Sequence, residues 1–545
     1  MSEAGPRLTA APSVLIRGAT VYDGTGGPGF AADVAIVNGR IEAVARDLPR
    51  AGFDRILDAG GLAVAPGFID LHSHSDFTFP AFPDSPGQVS QGVTSELVGH
   101  CGDTPAPLSD DPARRRQLID YEIGAGPTLA WEWTSFGSYL DVLEAARPAV
   151  NCLPLVGHNA LRIAAMGMAE RPPDPAETTA MRAGLREALS AGAWGMSTGL
   201  SYAPGQWAAT ADVLAMASPL TEAGALYASH IRNESDELLA AVDEALAIGE
   251  ALGVPVEVSH LKASGARNFG RTRDALAAIA AARARGVRAT CDMYPYEAGS
   301  TYLSQLLPPW TFAGGIGALL ERIRSAEVRL RIRHDIETGL PGWGNLLNAA
   351  GSWDRVLING TIEPGAAWAN GRFVSDLAAA AGQDGLDFTC DLLLADGGGT
   401  TMAIFMLDMA DVREVIASPF SGVGSDLYAV TRADAANHPR CSGSFARVLG
   451  PWVRDGLLPL AEAVRKMTSL PARTIGLPDR GRIAPGLVAD LVVFDPLTIT
   501  DNATWDRPAA LATGIEAVLL GGRFALDGGR PVDLRLGRVL RRPAA

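Results

Sequence analysis

The sequence predicts an α/β protein: a closed (β/α)8 TIM-like barrel, with a small β-sandwich built from both termini and an inserted lid segment. Three observations carry that expectation. Short apolar strands alternate with Ala/Leu/Glu-rich helical stretches, roughly eight times, through the middle of the 545-residue chain. Both ends of the chain read as β instead. The alternation breaks once, between Tyr302 and Trp353.

The N-terminal β signal is four short apolar or alternating runs at 14–16, 21–22, 33–37 and 41–45. Asn38-Gly39 joins the last two as a tight hairpin, since both residues tolerate φ > 0. Leu491–Phe494 and 517–520 answer it near the other end, followed by a Gly521-Gly522 turn. Residues 1–65 and 478–545 are therefore expected to form one β domain around a barrel at 66–477. Barrel strands are expected at 68–74, 94–101, 152–158, 193–197, 226–230, 256–260, 288–292 and 423–426. Helices are expected at Pro175–Ala191, 212–223, 236–252 and 272–285. The break at 302–353 begins with Leu306-Leu307-Pro308-Pro309-Trp310, and a helix near 316–332 follows. It reads as a lid inserted on the C-terminal face, where barrels carry their sites.

Composition excludes several function classes. A net charge of −15 without any basic run argues against nucleic acid or anionic membrane as partner. No apolar stretch reaches the ~18 residues a spanning helix needs. Residues 1–13 lack the pattern of a secretory signal, and five scattered cysteines make no disulfide framework. The expectation is a soluble, cytoplasmic enzyme acting on a small molecule.

Polar residues at strand ends are the ones to weigh in a barrel. His72 and His74 lie two apart on one strand, so both imidazoles share a face. Alone, such a pair reads equally well as hydrogen-bonded core histidines. His230 and His260, however, close two more apolar runs, so four of the eight histidines end strands. Imidazoles converging at one barrel mouth call for a cation, and nitrogen ligands suit zinc. Cys101, in Val98-Gly99-His100-Cys101-Gly102, is either a small buried hydrophobe or a thiolate ligand to the same ion. Asp426, after the last strand, is either a helix N-cap or a catalytic carboxylate.

The chain resembles the D-aminoacylase (N-acyl-D-amino-acid deacylase) family of the amidohydrolase superfamily. The resemblance rests on Gly67-Phe68-Ile69-Asp70-Leu71-His72-Ser73-His74, Cys101-Gly102, Gly195-Met196-Ser197-Thr198-Gly199-Leu200-Ser201-Tyr202 and Ala228-Ser229-His230-Ile231-Arg232-Asn233-Glu234. It continues through Ser259-His260-Leu261-Lys262, Tyr294-Pro295-Tyr296, Gly424-Ser425-Asp426, His438-Pro439-Arg440 and Ala489-Asp490-Leu491. It implies zinc-dependent hydrolysis of N-acyl-D-amino acids, with Asp426 as general base and acid. It also implies a tight Zn2+ site of Cys101, His230 and His260, and a second, weaker position at His72 and His74. Many superfamily members bridge two metals with a lysine. Only two of the 46 basic residues here are lysine, Lys262 and Lys466, and neither sits on the fourth strand, so a cysteine fits better. For the substrate carboxylate the resemblance implies Lys262, Tyr202, Ser300 and Arg440.

Two departures from the family stand out: His100 where Asn is common before the cysteine, and Leu427 where Gly commonly follows the aspartate. The unusual 427–437 segment is expected to border the substrate pocket. His158, ending another strand, reads as structural, with orientation of a ligand as the alternative. Rival readings remain. Gly195-Met196-Ser197-Thr198-Gly199 matches a serine-nucleophile elbow, but Tyr202-Ala203-Pro204-Gly205 follows where a helix would be required. A catalytically silent scaffold barrel should have damaged ligand positions, and all are filled here. A dipeptidase or cyclic-amide hydrolase is the alternative within the superfamily.

Overall fold

The computed structural model describes residues 11–122, 129–428 and 438–543. Eight parallel strands form the central barrel: Phe68–Ser73, Val93–Val98, Asn151–Gly157, Gly195–Gly199, Leu226–His230, Val256–Val258, Ala289–Met293 and Ser421–Val423. Each pairs with the next in chain order. The last strand closes on the first, where Asp426 N donates to His72 O at 2.8 Å and His74 N to Leu427 O at 2.7 Å. Helices cover the outside, so almost every strand residue is buried. That double burial is why these segments read as continuous apolar runs rather than alternating ones.

Three strands stop two or more residues earlier than the apolar pattern suggests, for one physical reason. Gly99 (φ 82), His260 (φ 36) and Asp426 (φ 53) take left-handed backbone conformations that no ladder can continue. The second strand therefore ends at Val98, and His100 and Cys101 (φ 56) lie in the turn beyond it.

Both termini contribute to a single nine-stranded sheet, in which Val14–Val21 pairs with Ala63–Pro66 and that strand pairs antiparallel with Leu491–Phe494. One face packs Val14, Ile16, Val34, Ile36, Val64, Leu491 and Leu519 into its own core. Val492, Phe494, Val518 and Leu520, alternating with these, join the main core instead. The Asn38-Gly39 and Gly521-Gly522 turns both have positive φ at each residue.

Between the seventh and eighth barrel strands the chain builds an antiparallel sheet of Ala298–Tyr302, Val356–Gly360 and Thr401–Phe405, with helices around it. The helical run expected near 316–332 divides into Ile316–Ile323 and Ala326–Thr338, because Ser325 caps the second by accepting from Val328 N at 3.4 Å. The run at 212–223 likewise divides, into Thr210–Met216 and Ser218–Ala223, with Pro219 in the first turn of the second. Among the described residues no helix is long and apolar enough to cross a membrane.

Candidate metal centre and active site

The C-terminal ends of the barrel strands bring the candidate ligands together. Cys101 Sγ lies 3.5 Å from His72 Nε2 and 3.4 Å from His260 Nε2. A tetrahedral zinc with Zn–S near 2.3 Å and Zn–N near 2.05 Å has an S···N edge of about 3.6 Å. Three overlapping clusters result: His72, Cys101 and His260; His72, His74 and Asp426; and His230, Glu234 and His260, the ligand atoms of each lying within 4.8 Å. The His230 ring centre is 4.4 Å from that of His260. Asp426 Oδ1 is 3.2 Å from His74 Nε2 and 3.5 Å from His72 Nε2.

This donor set fits zinc. Burial pushes the Cys101 thiol well up, so a thiolate there calls for a neighbouring cation. His74 Nδ1 and His230 Nδ1 are buried without a hydrogen-bond partner among the described residues. Burial also lowers His72, to about 4, and His230 well below the usual range, so both stay neutral and offer a lone pair. Cys101, His260 and Asp426 all occupy positive-φ positions, which concentrates backbone strain where the ligands meet.

Carboxylates behind the imidazoles set their orientation. His72 Nδ1 meets Asp292 Oδ2 at 3.2 Å, and His260 Nδ1 meets Glu234 Oε1 at 3.0 Å. Such partners fix the tautomer that leaves Nε2 free for a metal. Asp70 accepts from Ser425 N at 2.9 Å and from the Ser425 hydroxyl, tying the Asp426 turn to the first strand. Burial works to raise Asp426, but Arg440, His72 and the hydrogen bond from His74 outweigh it and hold the carboxyl well below its ordinary range.

The four residues expected at the substrate carboxylate also face this centre. Lys262 Nζ is 2.5 Å from Glu234 Oε1 and 2.7 Å from His260 Nδ1. Arg440 Nη1 donates to Asp426 Oδ2 at 2.7 Å. The Tyr294 ring lies beneath both cations, at 5.8 Å from Lys262 Nζ and 5.1 Å from the Arg440 guanidinium carbon. Tyr202 packs 4.7 Å from the His230 ring, and Ser300 Oγ accepts from Asn359 Nδ2 at 2.9 Å. A two-lobed cavity opens over the centre, with empty volumes of about 790 and 1620 Å³. Tyr202, His260, Ser300 and Asp426 line both lobes.

Sequence reasoning left Glu234, Asp292 and Tyr294 without a role. Their signal was position: each lies at or just past a strand end, beside a histidine or inside a quoted motif. His100 stacks on His72 at 4.0 Å, and its Nδ1 lies 3.4 Å from Ser259 Oγ. His158 opens the helix His158–Met166, lowered to about 3 by burial and by Arg162. Leu427 and Tyr428 line the larger lobe, whereas the rest of the 427–437 segment lies outside the described residues. Ser197 is no nucleophile: it sits inside a barrel strand, donating to Gly99 O at 2.5 Å and accepting from Gly102 N at 3.0 Å.

Comparison with known proteins agrees with this geometry. Residues 55–525 match the model of the Amidohydrolase family. An N-acyl-D-glutamate deacylase from Alcaligenes xylosoxydans xylosoxydans is 40% identical over 535 residues, 98% of this chain and 97% of the relative. A D-aminoacylase of the same organism is 37% identical over 541 residues, 98% of each chain. The crystal structure of an N-acyl-D-glutamate deacylase from Bordetella bronchiseptica, complexed with zinc and a phosphonate mimic of the tetrahedral intermediate, superposes with a TM-score of 0.81 at 36% identity, covering 97% of this chain and 100% of that one. A barrel mouth holding one cysteine, four histidines and an aspartate, on a chain that aligns end to end with these enzymes, belongs to the D-aminoacylase (N-acyl-D-amino-acid deacylase) family of the amidohydrolase superfamily.

Proposed function

We propose that this protein hydrolyses the amide bond of N-acyl-D-amino acids in a zinc-dependent reaction, releasing a D-amino acid and a carboxylate. The observation that carries the reading is that Cys101 Sγ meets the His72 and His260 imidazoles at ligand-edge distances, while the Asp426 carboxylate meets His72 and His74 in a second buried cluster that shares His72. By the family resemblance Cys101, His230 and His260 would hold the tight ion and His72 and His74 would line a weaker second position, whereas in this structure the sulfur lies at ligand-edge distance from His260 and His72, and His230 clusters with His260 and Glu234. Zinc bound there supplies a Lewis acid that polarises the scissile carbonyl and brings the pKa of a water from about 15.7 to roughly 7.

The chain's own groups do the rest. Asp426 Oδ1 accepts the attacking water's proton and returns it to the departing nitrogen, without which an amine leaves poorly. Arg440 receives the substrate carboxylate, since its planar fork matches that group and its pairing with Asp426 puts it beside the reacting centre. Lys262, Tyr202 and Ser300 add a charge and two hydroxyls around the same carboxylate. Phe312, Trp343 and Leu346 of the 302–353 segment line the smaller lobe, which supports reading that segment as a lid that excludes water. We assign the barrel to 66–477 and the β domain to 1–65 with 478–545. Five free, buried cysteines support a reducing, cytoplasmic setting.

The deciding experiment is amine release from paired N-acetyl-D- and N-acetyl-L-amino acids, with and without added zinc. Release from D-substrates alone, lost on chelation and restored by zinc, is expected. Release from L-substrates only, or from neither set, refutes the reading.

A further inference from the structure

We infer that Glu257, inside the barrel, is a positioning residue of the metal centre: as a neutral acid it donates a hydrogen bond to Asp292, and so keeps the single negative charge of that pair at the Nδ1 edge of His72. The inference rests on the zinc-dependent reading proposed above.

Strand register brings the two carboxyl groups together. Glu257 stands opposite Thr290 on the neighbouring parallel strand, and Asp292, two residues on, turns to the same face. Both side chains are fully buried. Asp292 Oδ2 reaches His72 Nδ1 at 3.2 Å although the eighth strand stands between the seventh and the first, so the contact crosses the barrel interior. It passes Gly424, where an added Cβ would lie 2.3 Å from Asp292 Oδ1 and 2.7 Å from His72 Cβ. Glycine there leaves the room that the pair needs.

Two adjoining carboxyl groups shut off from water do not both carry a charge. Their other neighbours decide which one keeps the proton. Asp292 faces an imidazole nitrogen, whereas Glu257 Oε2 accepts from the Ser259 hydroxyl at 2.8 Å. Burial, and then the nearby Asp292, push Glu257 well above the usual carboxylate range. Burial works to raise Asp292 too, but His72 and the hydrogen bond from Glu257 outweigh it and hold Asp292 below its ordinary value. Ser259 Oγ lies 3.4 Å from His100 Nδ1 as well, and His100 stacks on His72 at 4.0 Å. One connected set of side chains thus reaches both the edge and the face of the His72 ring. A carboxylate behind a ligand imidazole sets its tautomer and its basicity, and Glu257 sets that carboxylate.

The test replaces Glu257 in the full chain by Gln, which keeps a donor for Asp292 and an acceptor for Ser259, and by Met, which keeps the length without either. Competition against a chromophoric chelator should place the zinc affinity of Glu257→Gln within about threefold of wild type, and that of Glu257→Met about tenfold or more below it. The infrared difference between wild type and Glu257→Gln should contain the carbonyl stretch of a protonated carboxyl group, a signature that loosened packing would not produce. Equal loss of zinc affinity in both variants, or a carboxylate band in that difference spectrum, overturns the inference. So does a Glu257→Met protein that binds zinc like wild type. Should Glu257→Met not fold, the affinity and the infrared band of Glu257→Gln decide. A wild-type chain that binds no zinc overturns the zinc-dependent reading itself, and this inference with it.

Discussion

Glu234 is the residue whose removal tests the architecture of the centre most directly. One of its oxygens touches Lys262 Nζ at 2.5 Å and His260 Nδ1 at 3.0 Å, and lies 3.7 Å from His230 Nε2. In Glu234→Ala the Lys262 ammonium, 5% exposed, keeps no paired anion among the described residues and faces the His260 nitrogen at 2.7 Å. The direct attraction lost is about 7 kcal/mol at 2.5 Å for an effective dielectric near 20. Stranding one partner of such a buried pair costs about 3–5 kcal/mol net. The His260 ring also loses the acceptor that holds its proton on Nδ1, which for comparable partners weakens metal affinity about 10–100-fold, or roughly 1.4–2.8 kcal/mol. Competition of the folded variant against a chromophoric chelator measures this. Glu234→Gln, which keeps an acceptor oxygen without the charge, should fall between Glu234→Ala and wild type. A folded Glu234→Ala protein binding zinc within about twofold of wild type would refute the reasoning, since the smallest effect claimed is about tenfold.

Other expectations follow from the same geometry. Asp426→Asn should lower kcat by at least about 100-fold with an unchanged circular dichroism spectrum, and near wild-type turnover would remove its proton-transfer role. Gly199→Ala would drive its Cβ into the Cys101 carbonyl, so elemental analysis should find less zinc in a protein of native secondary structure, and unchanged metal content would count against it. Lys466 is buried with its ammonium donating to Ser421 O at 3.1 Å and to Ser418 O, and burial pushes it from 10.5 down to about 8. Its folded pKa is depressed, so the native state sheds this proton first. Wild-type stability relative to Lys466→Met should stay level below about pH 8 and rise by about 3 kcal/mol towards pH 10.5, a trend followed by denaturant midpoints. A difference that falls with pH over that window would contradict the burial argument.

Much of the fold was readable because burial leaves a periodic trace. The barrel strands are covered on both faces and so appear as unbroken apolar runs, and Leu226–His230 and Leu491–Phe494 have the bounds the pattern predicts. Asn38-Gly39 and Gly521-Gly522 announced their turns because few other residues accept φ > 0. The ends of the strands were less legible. Apolar pattern carries no information about the left-handed turns at Cys101, His260 and Asp426, which depend on contacts with other strands. The division at Ser325 likewise turns on a single cap within an otherwise continuous helical run.

The linear sequence by itself determined the barrel class, the pairing of the two termini and the residue types able to grip a divalent cation, since these depend on local pattern and on chemistry intrinsic to each side chain. Tertiary structure alone decided which imidazole sits at the sulfur, that Glu234 and Asp292 back His260 and His72, and that Lys262 and Arg440 each already face a carboxylate. The physical reason is range. A hydrogen bond or ion pair between residues more than 200 positions apart, as between His72 and Asp292, is set by strand register and barrel closure, and no local stretch of chain encodes its distance.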